Sequence, residues 1–285
     1  MKPNKFLGQN FLNSKKIIAD IIKAADLKPD DVVLEVGPGK GILTEALLEA
    51  VPRGKVIAIE KDKRLFDYLW TKFSDSRKLS KLILVNDDIL KFTDYSILIT
   101  GYKIIANIPY YITSHFLRKF LESDYQPSRM VLMLQKEVVE RIVARSASRR
   151  KKESILSISV KAYGEPKIIK KVPARYFSPA PKVDSAILLI DNISKKFFEE
   201  MAAKKLVSLK TGIKGNLTET KFLGLEKTFF NLVKQGFSQK RKMLKNNLKS
   251  LVLNTRCSTK CGIKETARAE ELSVENWRCL LLEIN

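Results

Sequence analysis

The stretch Leu34-Glu35-Val36-Gly37-Pro38-Gly39-Lys40-Gly41 decides the fold of this 285-residue chain. An apolar run leads into glycines at alternate positions, and a helical pattern starts directly after them at Ile42-Leu43-Thr44. Glycine lets the backbone turn tightly and lets a ligand approach it, because no Cβ stands in the way. The spacing is GxGxG rather than the GxGxxG of dinucleotide-binding proteins, which favours a ligand other than NAD.

Short apolar runs alternate with amphipathic stretches on both sides of this turn. We expect buried strands at residues 32–36, 56–60, 82–85, 103–106 and 130–134, and helices at 42–50, 65–73, 114–122 and 136–144. This alternation predicts a doubly wound α/β sheet, which binds ligands outside the carboxyl ends of its strands. Two further runs, 157–163 and 186–190, are expected to form a closing antiparallel pair. The result is a Rossmann-like, seven-stranded and mostly parallel sheet.

The last third of the chain has a different pattern. Strand signals end after Asp191, and Lys-rich segments with helical spacing follow, including 229–236 and 239–251. We therefore expect an α/β domain at residues 1–191 and a small helical domain at 229–285. The segment between them, 192–228, has weak periodicity and is interpreted as a linker or an insertion, two alternatives that the sequence leaves open.

The charge of the chain points to a polyanionic partner. The chain has 53 Lys and Arg against 31 Asp and Glu, a net charge of +22. Nucleic acid is the first interpretation, because cations placed against phosphates release condensed counterions. The alternative is that lysines simply cover solvated faces. No apolar run approaches the ~20 residues of a membrane span, and residues 1–10 lack a signal-peptide core, so we expect a cytoplasmic protein with no membrane partner.

Cysteine and histidine usage limits the chemistry. Cys257, Cys261 and Cys279 lack a second pair that would complete a zinc site, and we expect them to be structural thiols. His115 is the only histidine, which argues against catalytic triads and His-ligated metals. No metal is therefore expected.

Two acidic strand ends predict a nucleoside pocket. Glu60 ends the strand that follows the glycine turn, where a carboxylate can accept both hydroxyls of a ribose. Asp88 follows the third strand and can accept from an adenine amino group, and Ile89 beside it offers an apolar face and a backbone N–H. Either Asp87 or Asp88 would also serve as a helix N-cap. We favour Asp88 as the ligand and count Lys61 among the expected cofactor contacts.

The tetrapeptide Asn107-Ile108-Pro109-Tyr110 is the most specific signal in the chain. The Asn107 side-chain oxygen and the Pro109 carbonyl can each accept one hydrogen of an exocyclic amine on a purine, and proline holds its carbonyl in one direction. Tyr110 is expected to stack on the base. Phe177, in the proline-rich segment 177–181, is expected to close the opposite face. The alternatives are a strand-ending turn for the tetrapeptide and a core position for Phe177.

With these residues in view, the chain resembles the KsgA family of small-subunit ribosomal RNA adenine dimethyltransferases over nearly its whole length. The segments that carry the resemblance are 7–12, 35–41, Glu60, Asp88, 107–110, 135–141 and 177–185. The resemblance implies a class I methyltransferase fold with S-adenosylmethionine as cofactor. It adds Asn10 and Leu12 to the expected cofactor contacts, which also include Gly37, Gly39, Glu60, Lys61, Asp88, Ile89 and Asn107.

The resemblance also implies a reaction and a partner. The expected products are two adjacent dimethylated adenosines near the 3′ end of 16S rRNA, in the small subunit or its precursor, made by an enzyme that acts in ribosome biogenesis. Nothing in the sequence indicates an obligate protein partner, so we expect a monomer, although the sequence leaves the oligomeric state open. The Erm group, which methylates 23S rRNA, shares the catalytic pattern, but segments 237–244 and 267–273 are similar to the KsgA helical domain. A non-catalytic rRNA-binding assembly factor is a further alternative, against which the intact Asn107-to-Tyr110 motif argues. The loop 146–153 departs from the family pattern.

Overall fold

The computed structural model describes residues 3–4, 7–75, 81–95, 98, 101–144, 152–208, 219–248 and 255–284. The contacts among residues divide the chain into two compact units. The first consists of residues 1–139 and 165–193, and the second of residues 140–164 and 194–285.

A seven-stranded sheet forms the centre of the first unit. Its strands are β2 (Val32–Val36), β3 (Lys55–Ile59), β4 (Leu82–Val85), β5 (Lys103–Asn107), β6 (Arg129–Gln135), β7 (Glu165–Val172) and β9 (Ser185–Asp191). The strand order is β4-β3-β2-β5-β6-β9-β7. The first five strands of this order are parallel to one another, and the β6–β9 and β9–β7 pairs are antiparallel. The short strands β1 (Phe11–Leu12) and β8 (Phe177–Ser178) pair separately. This arrangement confirms the expected Rossmann-like, mostly parallel sheet.

Helices accompany these strands along the chain. The first, α1 (Lys15–Ala25), precedes β2 and was not predicted. The other four lie where the sequence periodicity predicts helices: α2 (Ile42–Ala50), α3 (Lys63–Lys72), α4 (Thr113–Leu121) and α5 (Lys136–Ile142). The start of α2 depends on Gly41, whose φ is +76°. A Cβ at this position would lie 2.8 Å from Leu69 Cδ2 and 2.8 Å from Phe73 Cε2. The third glycine of the turn is therefore required for packing against α3 rather than for a ligand.

The expected strand at residues 157–163 is wrong. This segment is helical, as α6 (Ile155–Lys161), because Ser154 and Ser157 form a capping box that satisfies the first free N–H groups of the helix. The closing strand is instead β7, which pairs with β9 along the sheet edge. This strand was not predicted because lysines on its exposed face, including Lys167 and Lys171, interrupt the run of apolar residues by which buried strands were identified.

The second unit is helical. Besides α6 it contains α7 (Lys196–Ser208), α8 (Glu219–Gly236), α9 (Leu244–Asn247), α10 (Thr255–Lys260) and α11 (Val274–Glu283). The segment 192–228, interpreted as a linker or an insertion, contains the helix α7. This helix packs against the rest of the second unit, because its Phe198 and Met201 side chains are fully buried. A helix was expected at residues 239–251. Residues 239–243 form turns instead, and the described part of this expected helix is confirmed only over α9. Residues 146–151, 209–218 and 249–251 lie outside the described residues.

Two of the three cysteines are joined. Cys261 and Cys279 form a disulfide bond within the second unit, so the expectation of structural thiols is wrong for this pair. The side chain of Cys257 lies outside the described residues. Among the helices that the structure describes, none has the length and apolarity needed to cross a membrane.

Candidate functional site

A cleft of about 840 Å³, counted to its open mouth, lies at the carboxyl ends of β2 to β5 in the first unit. Its walls come from residues 7–11, the glycine turn, the ends of β3 and β4, and residues 107–112. Ten expected site residues share this cleft: Asn10, Gly37, Gly39, Glu60, Lys61, Asp88, Ile89, Asn107, Pro109 and Tyr110. The structure therefore brings the predicted cofactor residues and the predicted reactive residues to one place.

The glycine turn gives the cleft a wall without side chains. Gly37 and Gly39 have φ values of +66° and +61°, a backbone conformation that favours glycine. A Cβ on Gly39 would lie 3.0 Å from the ring of Phe11. Within the described part of the chain, a Cβ on Gly37 would meet only the Asn107 carbonyl oxygen, at 3.9 Å. A side chain at Gly37 would consequently occupy the cleft itself.

Glu60 is a buried carboxylate held in place by backbone donors. Its Oε2 accepts the Gly39 N–H at 3.1 Å, and its Oε1 accepts the Asp62 N–H at 2.9 Å. Burial raises the pKa of Glu60, and the two N–H donors partly oppose that rise. Each oxygen keeps lone pairs for a further donor. The carboxylate can therefore accept hydrogen bonds from a pair of ligand hydroxyls without moving.

Asp88 and Lys61 lie together at the cleft. Lys61 Nζ donates to Asp88 Oδ2 at 2.9 Å, and the Leu90 N–H donates to Asp88 Oδ1 at 3.0 Å. Burial raises the pKa of Asp88, but these donors outweigh it, and the net shift is downward. Asp88 therefore both caps a turn and presents a charged acceptor, so the two interpretations of this residue are compatible. Ile89 is buried beside it and supplies apolar surface.

The reactive motif begins where β5 ends. Asn107 Nδ2 donates to the Asn10 carbonyl at 3.0 Å, and its Oδ1 has no hydrogen-bond partner among the described residues. The Pro109 carbonyl accepts the Ile112 N–H at 3.1 Å and retains a second lone pair. The Tyr110 hydroxyl lies 2.8 Å from Ser185 Oγ, which fixes its ring in the cleft wall. Two acceptors and one aromatic face thus line the same part of the cleft.

Two expected site residues are not among those that line this cleft. Leu12 and Phe177 are register partners in the β1–β8 pair, and both belong to the hydrophobic core. Phe177 is only 5% exposed and packs in the core, which agrees with the core alternative, and its expected place against the target base stays a prediction. Leu12 instead lines a smaller pocket behind the glycine turn, together with Glu35 and Asn107.

Sequence reasoning missed Glu35, the acidic residue of the glycine-turn motif. Glu35 is 1% exposed, and its Oε2 has no hydrogen-bond partner within the described part of the chain. Burial raises the pKa of Glu35 to about 8. A carboxyl group inside the apolar strand Val-Val-Leu-Glu-Val was the available signal, because a buried acid is rare unless it has a partner. Tyr111, 59% exposed at the cleft mouth, was also missed.

Replacing Glu35 by Gln should change how stability depends on pH. The pKa of Glu35 rises from 4.5 to about 8 on folding, so the folded protein binds a proton that the unfolded chain releases in this range. The stability of the parent should therefore fall, from pH 4.5 to 8, by about 1.4 kcal/mol per pH unit more than that of Glu35→Gln. Denaturant titrations at pH 5, 6, 7 and 8 measure this difference. Equal pH slopes in parent and variant would contradict it, and Glu49→Gln on the exposed face of α2 is the control.

Comparison with known proteins assigns the chain to a family. The model of the family described as ribosomal RNA adenine dimethylase matches residues 1–213. The chain belongs to this family. Its relatives include proteins named "Ribosomal RNA small subunit methyltransferase A" from Dehalococcoides mccartyi, 40% identical over 99% of this chain and 89% of the relative, and from Fusobacterium nucleatum, 36% identical over 97% and 95%. These relatives confirm the resemblance to the KsgA family.

Solved structures of similar proteins share the fold over almost the whole chain. The 23S rRNA methyltransferase ErmE is 26% identical, with a TM-score of 0.71 over 96% of this chain and 99% of that one. A dimethyladenosine transferase from Plasmodium falciparum is also 26% identical, with a TM-score of 0.72 and 96% coverage of both chains. Membership of the ribosomal RNA adenine dimethylase family thus confirms the expected enzyme class and the class I methyltransferase fold.

Proposed function

We propose that this member of the ribosomal RNA adenine dimethylase family uses S-adenosylmethionine to dimethylate the exocyclic amines of two adjacent adenosines near the 3′ end of 16S rRNA. One observation carries the proposal. The Asn107 amide, with its oxygen free of described partners, lies in the same cleft as the glycine turn and the Glu60 carboxylate. An acceptor for an amine thus stands beside a pocket built for a nucleoside.

The donor and acceptor set of the cleft fits S-adenosylmethionine. The bare glycine turn admits a ligand, Glu60 can accept from ribose hydroxyls, and Asp88 can accept from an adenine amino group. Glu35, behind the turn, has an unpartnered buried oxygen that a cationic ammonium group would satisfy. When bound, the cofactor supplies an electrophilic methyl group on a sulfonium. Asn10, Leu12, Lys61 and Ile89 complete the proposed contacts.

The proposed chemistry of the chain's own residues needs no strong base. An adenine amine is a poor nucleophile because its lone pair is delocalised into the ring. The Asn107 oxygen and the Pro109 carbonyl would accept hydrogen bonds from its two N–H groups and direct the lone pair out of the ring plane. The nitrogen would gain the methyl group and leave the cofactor as a neutral thioether. It would then be positively charged and strongly acidic, so one of its hydrogens would pass to water without a strong base. Tyr110 would hold the unpaired base by stacking. The rate enhancement then comes mainly from alignment and from preorganised acceptors.

The choice of 16S rRNA rests on the relatives. Proteins that are 33–40% identical to this chain carry the small-subunit name, whereas ErmE, whose name specifies 23S rRNA, is 26% identical. The net charge of +22 suits a phosphate-rich partner. We further propose that the C-terminal helices, from residue 229 onward, bind RNA in the small subunit or its precursor, and that the enzyme is a cytoplasmic monomer.

Methyl transfer to isolated subunits tests this choice. The enzyme is incubated with radiolabelled S-adenosylmethionine and 30S or 50S subunits from a strain that lacks the small-subunit modification. We expect label in the 30S RNA and none in the 50S RNA. Label in the 50S RNA would favour the Erm-type alternative, and binding to 30S subunits without any label would favour a non-catalytic assembly factor.

Replacing Glu60 by Ala should weaken cofactor binding. The change removes a charged acceptor for two hydroxyls, and charged hydrogen bonds of this kind contribute about 1.5–3 kcal/mol. We therefore expect the Kd for S-adenosylmethionine to rise roughly ten- to a hundredfold. Isothermal calorimetry measures it, with Glu49→Ala on the exposed face of α2 as the matched control. An unchanged Kd in Glu60→Ala would remove Glu60 from the cofactor site.

A further inference from the structure

The N-terminal segment, residues 7–11, forms one wall of the cleft and reaches the reactive asparagine. The Asn10 carbonyl accepts a hydrogen bond from Asn107 Nδ2 at 3.0 Å. This bond engages the nitrogen end of the Asn107 amide. The oxygen end is thereby the one that can face a target amine.

The two ends of an amide are not equivalent. The nitrogen only donates hydrogen bonds, and the oxygen only accepts them. If the Asn107 amide turned by half a rotation, its NH₂ group would face the target amine, donor against donor. A carbonyl can pair only with the nitrogen end, so the Asn10 carbonyl selects the orientation that accepts. Methyl transfer therefore depends on where that carbonyl is held.

Gln9 anchors the N-terminal segment directly beside Asn10. Its Nε2 donates to Asp62 Oδ2 at 2.9 Å, and its Oε1 accepts the Asn4 N–H at 2.7 Å. Asp62 is only 6% exposed, and its own N–H donates to Glu60 Oε1 at 2.9 Å. Gln9 thus ties the segment to the loop that carries the proposed ribose acceptor.

Asp62 is itself rigidly placed. Its Oδ1 accepts the Arg64 N–H at 3.1 Å and so begins α3, and its Oδ2 accepts from the Arg64 guanidinium at 2.7 Å. The anchor of Gln9 is therefore a fixed point of the fold rather than a mobile surface side chain. A continuous series of hydrogen bonds runs from the Glu60 carboxylate through Asp62 to Gln9, whose chain neighbour Asn10 bonds Asn107.

We propose that Gln9 is a positioning residue for methyl transfer: through Asp62 it holds the N-terminal segment so that the Asn10 carbonyl keeps the Asn107 oxygen turned toward the target amine. This inference rests on the proposed function. Gln9 acts through Asn10 and Asn107 and needs no contact with the reacting atoms.

A donor–acceptor exchange tests the proposal. Gln9→Glu keeps an acceptor for the Asn4 N–H but sets a carboxylate against the Asp62 carboxylate. Adding Asp62→Asn gives the pair a donor again, now on the opposite side. The Asn oxygen still accepts the Arg64 N–H and Nε–H at the Oδ1 position, so α3 stays capped, and the second Arg64 bond, to Oδ2, is lost in both variants that carry Asp62→Asn. Asp62→Asn alone can still pair with Gln9 when the Gln9 amide turns its oxygen toward it, which gives up the bond from the Asn4 N–H.

The measurement is the single-turnover rate of methyl transfer to 30S subunits at saturating S-adenosylmethionine. We expect Gln9→Glu to lower this rate roughly tenfold, the equivalent of about one lost hydrogen bond. The exchanged pair Gln9→Glu/Asp62→Asn should recover to within about threefold of the parent, and Asp62→Asn alone should lose less than Gln9→Glu. A purely structural role for Gln9 would lower the Tm and leave the saturated rate unchanged.

Two results would overturn the proposal. One is a saturated rate in Gln9→Glu equal to that of the parent, and the other is an exchanged pair as slow as Gln9→Glu. These results differ from a failure of the proposed function, in which the parent itself transfers no methyl group to adenine or Asn107→Ala transfers it at the parental rate.

Discussion

Asn107→Ala should reduce kcat for adenine methylation by roughly a hundred- to a thousandfold, the range seen when one preorganised hydrogen-bonding group of an active site is removed. The change deletes the amide oxygen that accepts a hydrogen of the target amine. It also deletes the donor to the Asn10 carbonyl, a bond at the cleft wall whose loss costs about 1 kcal/mol of stability. The fold should survive, because the Asn107 side chain is only partly buried.

Separate measurements of binding and rate distinguish this result from a lost cofactor site. Calorimetry should show that Asn107→Ala keeps most of its affinity for S-adenosylmethionine, since Asn107 is one of many expected cofactor contacts and Glu60, Asp88 and the glycine turn are intact. The methylation rate should fall while binding persists. A variant that binds cofactor and methylates at the parental rate would refute the role of Asn107.

Gly37→Ala should abolish useful cofactor binding while leaving a folded protein. The new Cβ would stand in the cleft, because the only atom of the described residues that it would meet within 4 Å is the Asn107 carbonyl oxygen, at 3.9 Å. Alanine at a φ of +66° also strains the backbone by about 1–2 kcal/mol. We expect the Kd for S-adenosylmethionine to rise by on the order of a hundredfold or more. This rise corresponds to a loss of ~3 kcal/mol in binding free energy, because the cofactor could no longer approach the backbone of the turn.

Gly101→Ala is the matched control for this substitution. Gly101 also has a positive φ, +85°, but none of the described atoms lies within 4 Å of its potential Cβ, and it is not among the residues that line the cleft. Both variants should lose similar stability in denaturant titrations, and only Gly37→Ala should lose cofactor affinity. Equal loss of affinity in the two would mean that backbone strain, and not occupation of the cleft, explains the effect.

The parallel half of the fold could be predicted closely because its inner strands are buried on both faces and its edge strand β4 is also an unbroken apolar run, although Ile83 is 38% exposed. Such strands appear as continuous apolar runs, and the predicted and observed bounds of β2 and β4 agree. The antiparallel edge could not be predicted in the same way. The run 157–163 alternates like a strand, but the Ser154–Ser157 capping box makes it a helix. The true edge strand β7 carries lysines on its exposed face.

Some residues of the candidate site could be predicted from the sequence and others could not. Motifs that follow a strand end, such as Glu60 and Asn107, could be placed because parallel strands deliver their carboxyl ends to one edge. Phe177 could not, because its burial depends on the pairing of two-residue strands far apart in the sequence. The Gln9–Asp62 bond joins residues 53 positions apart through side chains alone, a contact that periodicity cannot reveal.

Nucleoside analysis of the methylated RNA tests the central claim most directly. The 16S rRNA from 30S subunits treated with enzyme and S-adenosylmethionine is digested to nucleosides and examined by mass spectrometry, with Asn107→Ala treated in parallel. We predict that N6,N6-dimethyladenosine appears with the parent enzyme at two residues per subunit, and that it is absent or greatly reduced with Asn107→Ala. Methyl groups on a ring nitrogen, a ribose or a base other than adenine would contradict the account.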